Sequence, residues 1–365
     1  MSLRTAVVGG GAVSRIHLSG IAENPRTDLV AVCDIDEGRA TALADEYGIV
    51  AYTDTTDLLA AESLDWLHVC TPVATHFDLA REAIEAGVPV LVEKPITETS
   101  EAAARLARLS EEHGVPVSVV RNHLFTSAMR RVRDAVGAGD LGRVRAVDVT
   151  YTGNTWPDEP NRGAWTFDLP GGEFEEGIPH PVYVALGVGG YPDSTDGFSA
   201  TTARVREYEQ GFTYDGVNLD WATDDDTLCS VSVLAGAVPQ RLVRVHGADA
   251  SLTADLVSGT VLELDRDYKA SAASRALNDL DRAGDRMVGL LDNAAELVRR
   301  RRLDGWERAM RGNAHNVQFD REARALEEGT APVVPPENGE WTIRAMEAIR
   351  EAAGERAAAP EPTTD

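Results

Sequence analysis

A single lysine stands where its chemistry would matter. The chain has 35 Lys and Arg residues, of which only Lys94 and Lys269 are lysine. Lys94 ends the apolar run VLVEK and is followed at once by Pro95. An ammonium group beside a hydroxyl favours the alkoxide that develops while hydride leaves, whereas arginine is bulkier and does not exchange a proton. We interpret Lys94 as a catalytic residue; the alternative is a lysine that only ends a strand.

A second group of residues has the pattern of a dinucleotide-binding turn. The segment VVGGGAVSRIH places Gly9 and Gly11 in G-x-G-x-x-S, with Ser14 in the position of a third glycine. The first glycine allows a tight turn, the second lets the backbone approach a pyrophosphate, and the following helix offers free N–H groups. We expect Gly9, Gly11, Ala12 and Val13 to hold the pyrophosphate; a structural loop without nucleotide is the alternative.

An acidic residue follows the glycine turn at the spacing of a ribose ligand. Asp34 ends the next apolar run, about 25 residues after Gly9. Its carboxylate would accept both ribose hydroxyls of NAD and would repel the 2′-phosphate of NADP. We therefore predict NAD as the cofactor, although Arg39 leaves NADP open. Asp34 is also compatible with the N-cap of a helix.

The elements that must position these residues alternate regularly up to residue 121. Apolar runs such as TAVVG, DLVAVCD and VPVLVE are separated by segments of helical spacing. Runs that are apolar on both faces predict a parallel sheet covered by helices on both sides. Ligands of such sheets lie outside the carboxyl ends of the strands, where Glu93 and Lys94 are expected. We predict an α/β Rossmann domain over residues 1–121.

Beyond residue 121 polar and apolar positions alternate, and the predicted architecture changes. RVRAVDVTYTG, TLCSVSVLA and RLVRVHG have the pattern of antiparallel strands with one solvated face. The segments 276–302 and 315–329 have helical spacing. We predict an α+β domain over residues 122–356 with a large open, mainly antiparallel sheet, and a disordered tail over residues 357–365.

Composition excludes several classes of partner. The net charge of −25 opposes nucleic-acid binding, which needs a basic surface. The absence of an apolar run of about 18 residues opposes a membrane span, and the first residues do not resemble a secretory signal, so we expect a cytoplasmic location. Cys33, Cys70 and Cys229 are interpreted as buried free thiols, and no Cys or His cluster predicts a metal site.

The acidity is spread along the whole chain. Asp and Glu number 60, and lysine is almost absent. Dispersed acid of this kind indicates a halophilic protein, because salt screens the self-repulsion of a strongly charged surface. Ordinary acidity in an arginine-rich organism is the alternative.

Longer segments resemble one family. GGGAVSRIH, VCDID, CTPVATHFDLAREAIEAGVPVLVEKPITET and RNHLFTSAMRRVRDAVGAGDLGRVRAV together are similar to the Gfo/Idh/MocA oxidoreductases, the glucose–fructose oxidoreductase and inositol dehydrogenase family. The resemblance covers about residues 4–186 and returns at 315–329 and in the last predicted helix. It implies hydride transfer between NAD(P) and a secondary hydroxyl of a sugar, cyclitol or sugar derivative. It also implies a homodimer or homotetramer formed through the open sheet.

The resemblance adds residues to the expected cofactor site. It implies that Thr71, Pro72 and His76 lie near the cofactor. It further implies that Glu93 lies near the nicotinamide ribose and Asn122 near the edge of the nicotinamide.

The family's second catalytic element is a glycine pair, an acid and a histidine. Here the pair at 171–172 precedes Glu176, which stands where aspartate is usual, and His180 follows four residues later. A neutral imidazole is a proton acceptor near neutral pH, and Glu176 would orient it or bind a second hydroxyl. Tyr183 stands where another aspartate is frequent. We expect Lys94 and His180 to converge on one substrate carbon.

Local helix signals refine this second element. Pro179 and Pro181 flank His180. Because proline is favoured in the first turn of a helix, we predict that a helix begins at Pro181 and leaves the acid outside it.

Further residues are candidates for the substrate site. Arg162, Trp165 and Tyr183 are candidate substrate residues, with a plain surface loop as the alternative for the first two. Asn313 and His315 either reach the cleft from the last helices or form a solvated helix end, and we favour the solvated end.

Three other functions stay open at this point. The first is an NAD-dependent glycoside hydrolase with transient oxidation, which would release no net NADH. The second is a non-catalytic sensor that keeps the cofactor cradle, against which the retention of both Lys94 and His180 speaks. The third is a scaffold subunit that works through its open sheet and has lost nucleotide binding.

Overall fold

A computed structural model describes residues 2–159, 161–265 and 305–358, with isolated positions between 283 and 303. The chain forms two compact units: Met1–Phe125 with Arg300–Ile343, and Thr126–Arg299 with Arg344–Asp365. The helix predicted over 276–302 falls almost wholly outside the described residues, as do residues 359–365 of the predicted tail.

The first unit is built on a six-stranded parallel sheet. Its strands are β1 (Leu3–Val8), β2 (Thr27–Cys33), β3 (Val50–Tyr52), β4 (Trp66–Val69), β5 (Val90–Val92) and β6 (Val117–Val119). Their order is β3-β2-β1-β4-β5-β6, which is the doubly wound order. The predicted Rossmann fold is thereby confirmed.

Helices connect these strands and return to the sheet late in the chain. They are α1 (Ser14–Glu23), α2 (Glu37–Tyr47), α3 (Thr55–Ala61), α4 (His76–Glu85), α5 (Ser100–His113), α9 (Gly305–Gly312), α10 (Ala314–Glu328) and the first part of α11 (Pro336–Ala358), with 3-10 turns at Val73–Thr75 and Asn122–Phe125. Side-chain caps fix several of the starts. For example, Asp36 accepts the N–H of Arg39 at α2, and Thr99 accepts that of Ala102 at α5.

Helix α10 belongs to the first unit because it completes the sheet's core. The side chain of Gln318 accepts the N–H of Arg121 at 2.9 Å and donates to the carbonyl of Val119 at 2.8 Å. Phe319, one residue on, packs in a buried cluster with Trp66. The first unit therefore ends at Phe125 and takes back residues 300–343, whereas the sequence predicts one boundary after residue 121.

The second unit contains a seven-stranded mixed sheet. Its strands are β7 (Val144–Gly153), β8 (Ser199–Ala203), β9 (Gly216–Ala222), β10 (Leu228–Ala235), β11 (Gln240–Gly247), β12 (Ala250–Asp255) and β13 (Thr260–Asp265), in the order β13-β12-β11-β7-β10-β9-β8. Neighbouring strands are antiparallel except for β7 and β10, which are parallel. The predicted mainly antiparallel sheet is confirmed.

The second unit also contains helices. They are α6 (Ser127–Ala138), α7 (Gly172–Gly177), α8 (Pro179–Gly189) and the end of α11, with a 3-10 turn at Ala164–Asp168. Helix α8 packs on β7 and β10. A Cβ atom at Gly189 would overlap the sulfur of Cys229 and lie 3.2 Å from a methyl group of Val147, so glycine lets the helix lie close to the sheet.

Three composition-based expectations can be compared with the described residues. Cys33, Cys70 and Cys229 are buried and unbridged, as predicted. Across the part of the chain that is described, no helix combines the length and the apolar character needed to cross a bilayer. The same residues contain no group of three or more Cys, His or acidic side chains placed to hold a metal ion.

Candidate active site

The glycine turn after β1 is held between the ends of two neighbouring strands. The N–H of Gly9 donates to the carbonyl of Cys33 at 2.8 Å. Gly9 has φ of +102°, and a Cβ atom there would lie 2.6 Å from the carbonyl oxygen of Cys70. Both the backbone conformation and the close approach therefore require glycine at this position.

The next residues leave room for a ligand. A Cβ atom at Gly11 would meet nothing within 4 Å. Gly11 and Ala12 are exposed, Val13 is half-buried, and α1 has no side-chain cap at its start. Open space above backbone N–H groups at a helix start is the arrangement that receives a pyrophosphate, so these residues fit a dinucleotide.

Asp34 lies against the same turn. Its Oδ2 atom accepts the N–H of Gly10 at 2.6 Å, and its Oδ1 atom accepts that of Asp36 at 2.9 Å. Arg39 Nη1 lies 3.2 Å from Asp34 Oδ2, and its side chain is half-exposed. The N-cap of α2 is Asp36, so the capping role considered for Asp34 is wrong. Asp34 is instead fixed beside the cradle, where a ribose would lie.

The loops after β4 and β5 are tied together by one imidazole. His76 is buried, with Nε2 2.8 Å from the carbonyl oxygen of Thr71 and Nδ1 2.8 Å from that of Pro95. Burial lowers the pKa of His76 even though both carbonyl contacts favour its protonated form. Thr71 is half-buried and Pro72 is exposed, at the carboxyl end of the sheet. His76 therefore fixes the loop that carries them.

Lys94 follows β5 directly. It is half-buried, its N–H donates to Oε2 of Glu93 at 2.9 Å, and the Lys94–Pro95 peptide bond is cis. Asn122, also half-buried, begins the 3-10 turn after β6. Strands β4, β5 and β6 are consecutive in the sheet, so Thr71, Lys94 and Asn122 share its carboxyl edge.

Sequence reasoning missed a group of histidines around Glu93. His17 Nε2 lies 2.9 Å from Glu93 Oε1, and His17 Nδ1 lies 2.8 Å from His68 Nδ1. Burial alone raises the pKa of Glu93, but the hydrogen bond from His17 and the electrostatic influence of His17, His315 and Lys94 outweigh it and lower that pKa to about 2. The available signal was His68 itself, a polar residue inside the apolar strand WLHV.

His315 belongs to this group as well. Its side chain is 13% exposed, and its Nε2 atom lies 4.0 Å from Glu93 Oε1. Burial lowers the pKa of His315 to about 4 despite the nearby carboxylate. Asn313 caps α10 by accepting the N–H of His315 at 3.0 Å. Their interpretation as a solvated helix end is therefore wrong for His315, because α10 packs on the sheet.

In the second unit, close neighbours leave no room for a side chain at either residue of the glycine pair. A Cβ atom at Gly172 would overlap the carbonyl oxygen of Pro157, and one at Gly171 would lie 2.8 Å from the ring of Tyr214. The N–H of Gly171 donates to Glu175 Oε2 at 2.9 Å, and that buried carboxylate also accepts the hydroxyl of Tyr214. The pair lets α7 begin against these two neighbours.

Arg162 is held by two acids of α7. Its N–H donates to Oε2 of Glu173 at 3.2 Å, and its guanidinium forms an ion pair with Glu176. Both carboxylates are largely buried, whereas the Arg162 side chain is 46% exposed. Trp165, which is 40% exposed, donates its indole N–H to the carbonyl of Arg162 at 3.0 Å. Arg162, Trp165 and Glu176 thus form one cluster.

His180 has a tyrosine as a close partner. Its Nδ1 atom lies 2.8 Å from the hydroxyl oxygen of Tyr183, which is buried. The helix predicted to begin at Pro181 begins at Pro179 instead, and Glu176 lies inside the preceding helix α7. That boundary was wrong because both prolines fit within the first turn of α8.

The sequence-predicted residues therefore fall into two groups, each within its own unit. The first unit holds the glycine turn with Asp34 and the strand-end residues Thr71, Pro72, His76, Glu93, Lys94 and Asn122. The second holds Arg162, Trp165, Glu176, His180 and Tyr183.

The parallel sheet, the open glycine turn and Asp34 define a dinucleotide-binding Rossmann protein. Residues 3–121 match the family described as "Oxidoreductase family, NAD-binding Rossmann fold", and residues 129–253 match the "GFO/IDH/MocA C-terminal domain". The chain belongs to the Gfo/Idh/MocA oxidoreductase family.

Individual proteins with similar sequences or structures include sugar and cyclitol enzymes. The dTDP-3,4-didehydro-2,6-dideoxy-alpha-D-glucose 3-reductase of Streptomyces violaceoruber is 35% identical over 41% of this chain and 44% of its own. The inositol 2-dehydrogenase of Rhizobium meliloti is 30% identical over 41% and 45%. The chain thus spans less than half the length of these curated relatives. The crystal structure of GenD2 from gentamicin A biosynthesis in complex with NAD matches 97% of this chain and 95% of its own, with a TM-score of 0.72 and 25% identity.

Proposed function

We propose that this protein transfers hydride between NAD and a secondary hydroxyl of a sugar, cyclitol or sugar derivative. The observation that carries the proposal is Lys94, one of two lysines, on the same sheet edge as the glycine cradle and anchored through Glu93. The relatives named for inositol and for a dTDP-sugar support this substrate class. The glycoside-cleaving, sensor and scaffold alternatives receive no support from these similarities.

The cofactor site of the proposal lies in the first unit. Backbone N–H groups of Gly11, Ala12 and Val13 would receive the pyrophosphate, and Asp34 would accept the ribose hydroxyls. When bound, NAD supplies the hydride acceptor. NADP is the weaker alternative, because the carboxylate of Asp34 opposes a 2′-phosphate while Arg39, half-exposed beside it, favours one.

The proton chemistry falls to Lys94 and His180. The ammonium of Lys94 favours the developing alkoxide. If Nδ1–H of His180 donates to Tyr183, the lone pair is on Nε2, and this atom takes the substrate proton. Glu176, paired with Arg162, is proposed to hold that guanidinium for a polar substrate group, and the exposed ring of Trp165 offers an apolar face to a sugar.

The proposal is tested by measuring NADH and NADPH formation over a panel of polyols, free sugars and nucleotide sugars. We expect turnover with at least one member and with NAD in preference to NADP. Undetectable hydride transfer over the whole panel, in protein that binds NADH, would favour the sensor. Cleavage of a glycoside without net NADH would favour transient oxidation.

We also propose that copies of the chain associate through the face of the second sheet that lies opposite α8. This face carries polar side chains, among them Asp148, Ser230 and Arg244, with His246 Nε2 2.9 Å from Asp148 Oδ2. A homodimer or homotetramer is expected by light scattering, and a reversed charge at Asp148 should weaken it. A monomer at all concentrations would contradict this assignment.

The environment of the protein is proposed from its composition. The net charge of −25 favours a halophilic protein, so unfolding temperature and turnover should rise with potassium chloride concentration. Three unbridged cysteines and a nicotinamide cofactor favour the cytoplasm. Stability independent of salt would contradict the halophilic assignment.

A further inference from the structure

A chain of three buried side chains leads from the interior of the first unit to Lys94. His68, on β4, lies with Nδ1 2.8 Å from Nδ1 of His17, on α1. His17 Nε2 lies 2.9 Å from Glu93 Oε1, and Glu93 Oε2 accepts the N–H of Lys94 at 2.9 Å. Both histidines have no exposed surface, and Glu93 is 5% exposed. Each oxygen of Glu93 therefore has a separate, defined donor.

The protons in this chain have one favoured direction. Among the described residues, no partner lies within hydrogen-bonding distance of His68 Nε2, which is buried. A buried N–H group without a partner is rarer in proteins than a buried acceptor without one. We therefore place the lone pair of His68 on Nε2 and its proton on Nδ1. His68 Nδ1–H then donates to His17 Nδ1, and His17 Nε2–H donates to Glu93.

The chain ends inside the protein and does not lead a proton outward. Its last atom, His68 Nε2, is buried, and the His68 ring packs edge-on against the rings of Trp66 and Phe319, with centroids 4.1 and 5.1 Å from its own. A path for proton release would need a polar protein group at this end, and none of the described residues supplies one. The arrangement instead suits a fixed support for Glu93.

Other ionisable groups also face Glu93, and they define its charge. They are Lys94 itself, Cys70 from the end of β4, His76 from α4 and His315 from α10, in addition to His17 from α1. Burial together with the charge of Glu93 raises the pKa of the Cys70 thiol. Of these groups, His17 lies within hydrogen-bonding distance of Oε1, whereas His315 lies at 4.0 Å.

We propose that His17, oriented by His68, is a positioning residue for Lys94 and acts through Glu93. The donated hydrogen bond holds one carboxylate oxygen, which turns the other onto the Lys94 N–H and sets where the ammonium stands. The consequence for catalysis rests on the proposed function. The consequence for Lys94 itself does not, because the geometry exists without substrate.

The test uses the near-absence of lysine. Acetic anhydride modifies both lysines of the full chain, and mass spectrometry gives the rate for Lys94 relative to that for Lys269. We expect His17→Leu to raise this ratio by about threefold to tenfold, the range for loss of one hydrogen bond. His17→Gln keeps an N–H donor at similar reach, so its ratio should stay near that of the natural protein. Glu93→Gln should behave like His17→Leu.

Two outcomes would overturn the proposal. One is an unchanged Lys94 ratio in folded His17→Leu and Glu93→Gln proteins. The other is an equal rise in His17→Leu and His17→Gln, which would indicate packing without a donated hydrogen bond. If His17→Leu does not fold, the comparison of Glu93→Gln with the natural protein decides. These measurements need no turnover, so they are independent of whether the proposed function is right.

With a substrate from the panel, the same variants give a second readout. We expect His17→Leu to lower kcat with little change in the Kd of NADH, and His17→Gln to restore kcat. Because the His17 hydrogen bond keeps Glu93 ionised, its loss should move the acid limb of the kcat profile to higher pH. If the acid limb of the kcat profile lies at the same pH in His17→Leu as in His17→Gln, a role of His17 through Glu93 is contradicted.

Discussion

The imidazole of His180 and the phenol of Tyr183 meet at 2.8 Å, one turn apart on α8. Tyr183 is buried, so its hydroxyl is held in place by the packing around the ring. A phenol is neutral near pH 7, whereas the aspartate frequent at this position in the family would carry a charge. The partner of His180 therefore orients the ring without adding a negative charge beside it.

Removing the hydroxyl should weaken this orientation. We expect Tyr183→Phe to lower kcat by about tenfold, on the scale of one lost hydrogen bond, with an unchanged Kd for NADH. The phenyl ring preserves the packing, so the unfolding temperature serves as the control. Full activity in Tyr183→Phe would mean that His180 is oriented by another group.

Lys94 offers a test with a matched control in the same chain. We expect Lys94→Ala to lower turnover by at least about a hundredfold, the scale for losing one charge-stabilising donor. NADH should still bind. Lys269→Ala, which removes the only other lysine, should leave turnover near its natural value. Near-normal turnover in Lys94→Ala would refute the assigned role.

Asp34 and Arg39 should set the choice between NAD and NADP. We expect Asp34→Ser to shift the ratio of the two Kd values toward NADPH by at least about tenfold, because a carboxylate that repels the 2′-phosphate is lost. Arg39→Ala should shift the ratio the other way. Fluorescence titration with NADH and NADPH measures both. An unchanged ratio in Asp34→Ser would remove Asp34 from the ribose site.

The acid stability of the first unit should depend on His315. Its pKa falls from 6.5 to about 4 on folding, so the folded state favours the neutral ring. The resulting stability is present above pH 6.5 and is lost as the pH falls toward 4, by about 3 kcal/mol in total. We expect His315→Gln to flatten the unfolding free energy between these pH values. Equal slopes in both proteins would contradict this assignment.

The fold and the glycine turn could be predicted because their signals are local. Gly9, the apolar strand before it and Asp34 lie within one short stretch of sequence, and each predicts the structure in its own immediate neighbourhood. The Glu93 cluster could not be predicted, since its members are separated by 51 and 76 residues and each histidine alone suits a buried core. The parallel pairing of β7 with β10 could not be predicted either. The alternation of polar and apolar residues shows which face of a strand is buried, but not which strand lies beside it.

Two other differences have short-range causes. The start of α8 was placed two residues late because two prolines compete for one helical turn. Arg162 was expected among the substrate residues, but its ion pair with Glu176 was not predicted. The sequence alone does not indicate which acid an arginine in a loop will pair with.

Gly189 lets the C-terminal end of α8 lie close to the sheet. His180 lies nine residues before it, about 13 Å along the helix axis at the usual rise per residue. A methyl group added by Gly189→Ala would push this end of the helix away from Cys229 and Val147. Because a short helix moves as a rod, the same tilt would displace the imidazole of His180, so a substitution at the other end of α8 would change the position of the proposed base.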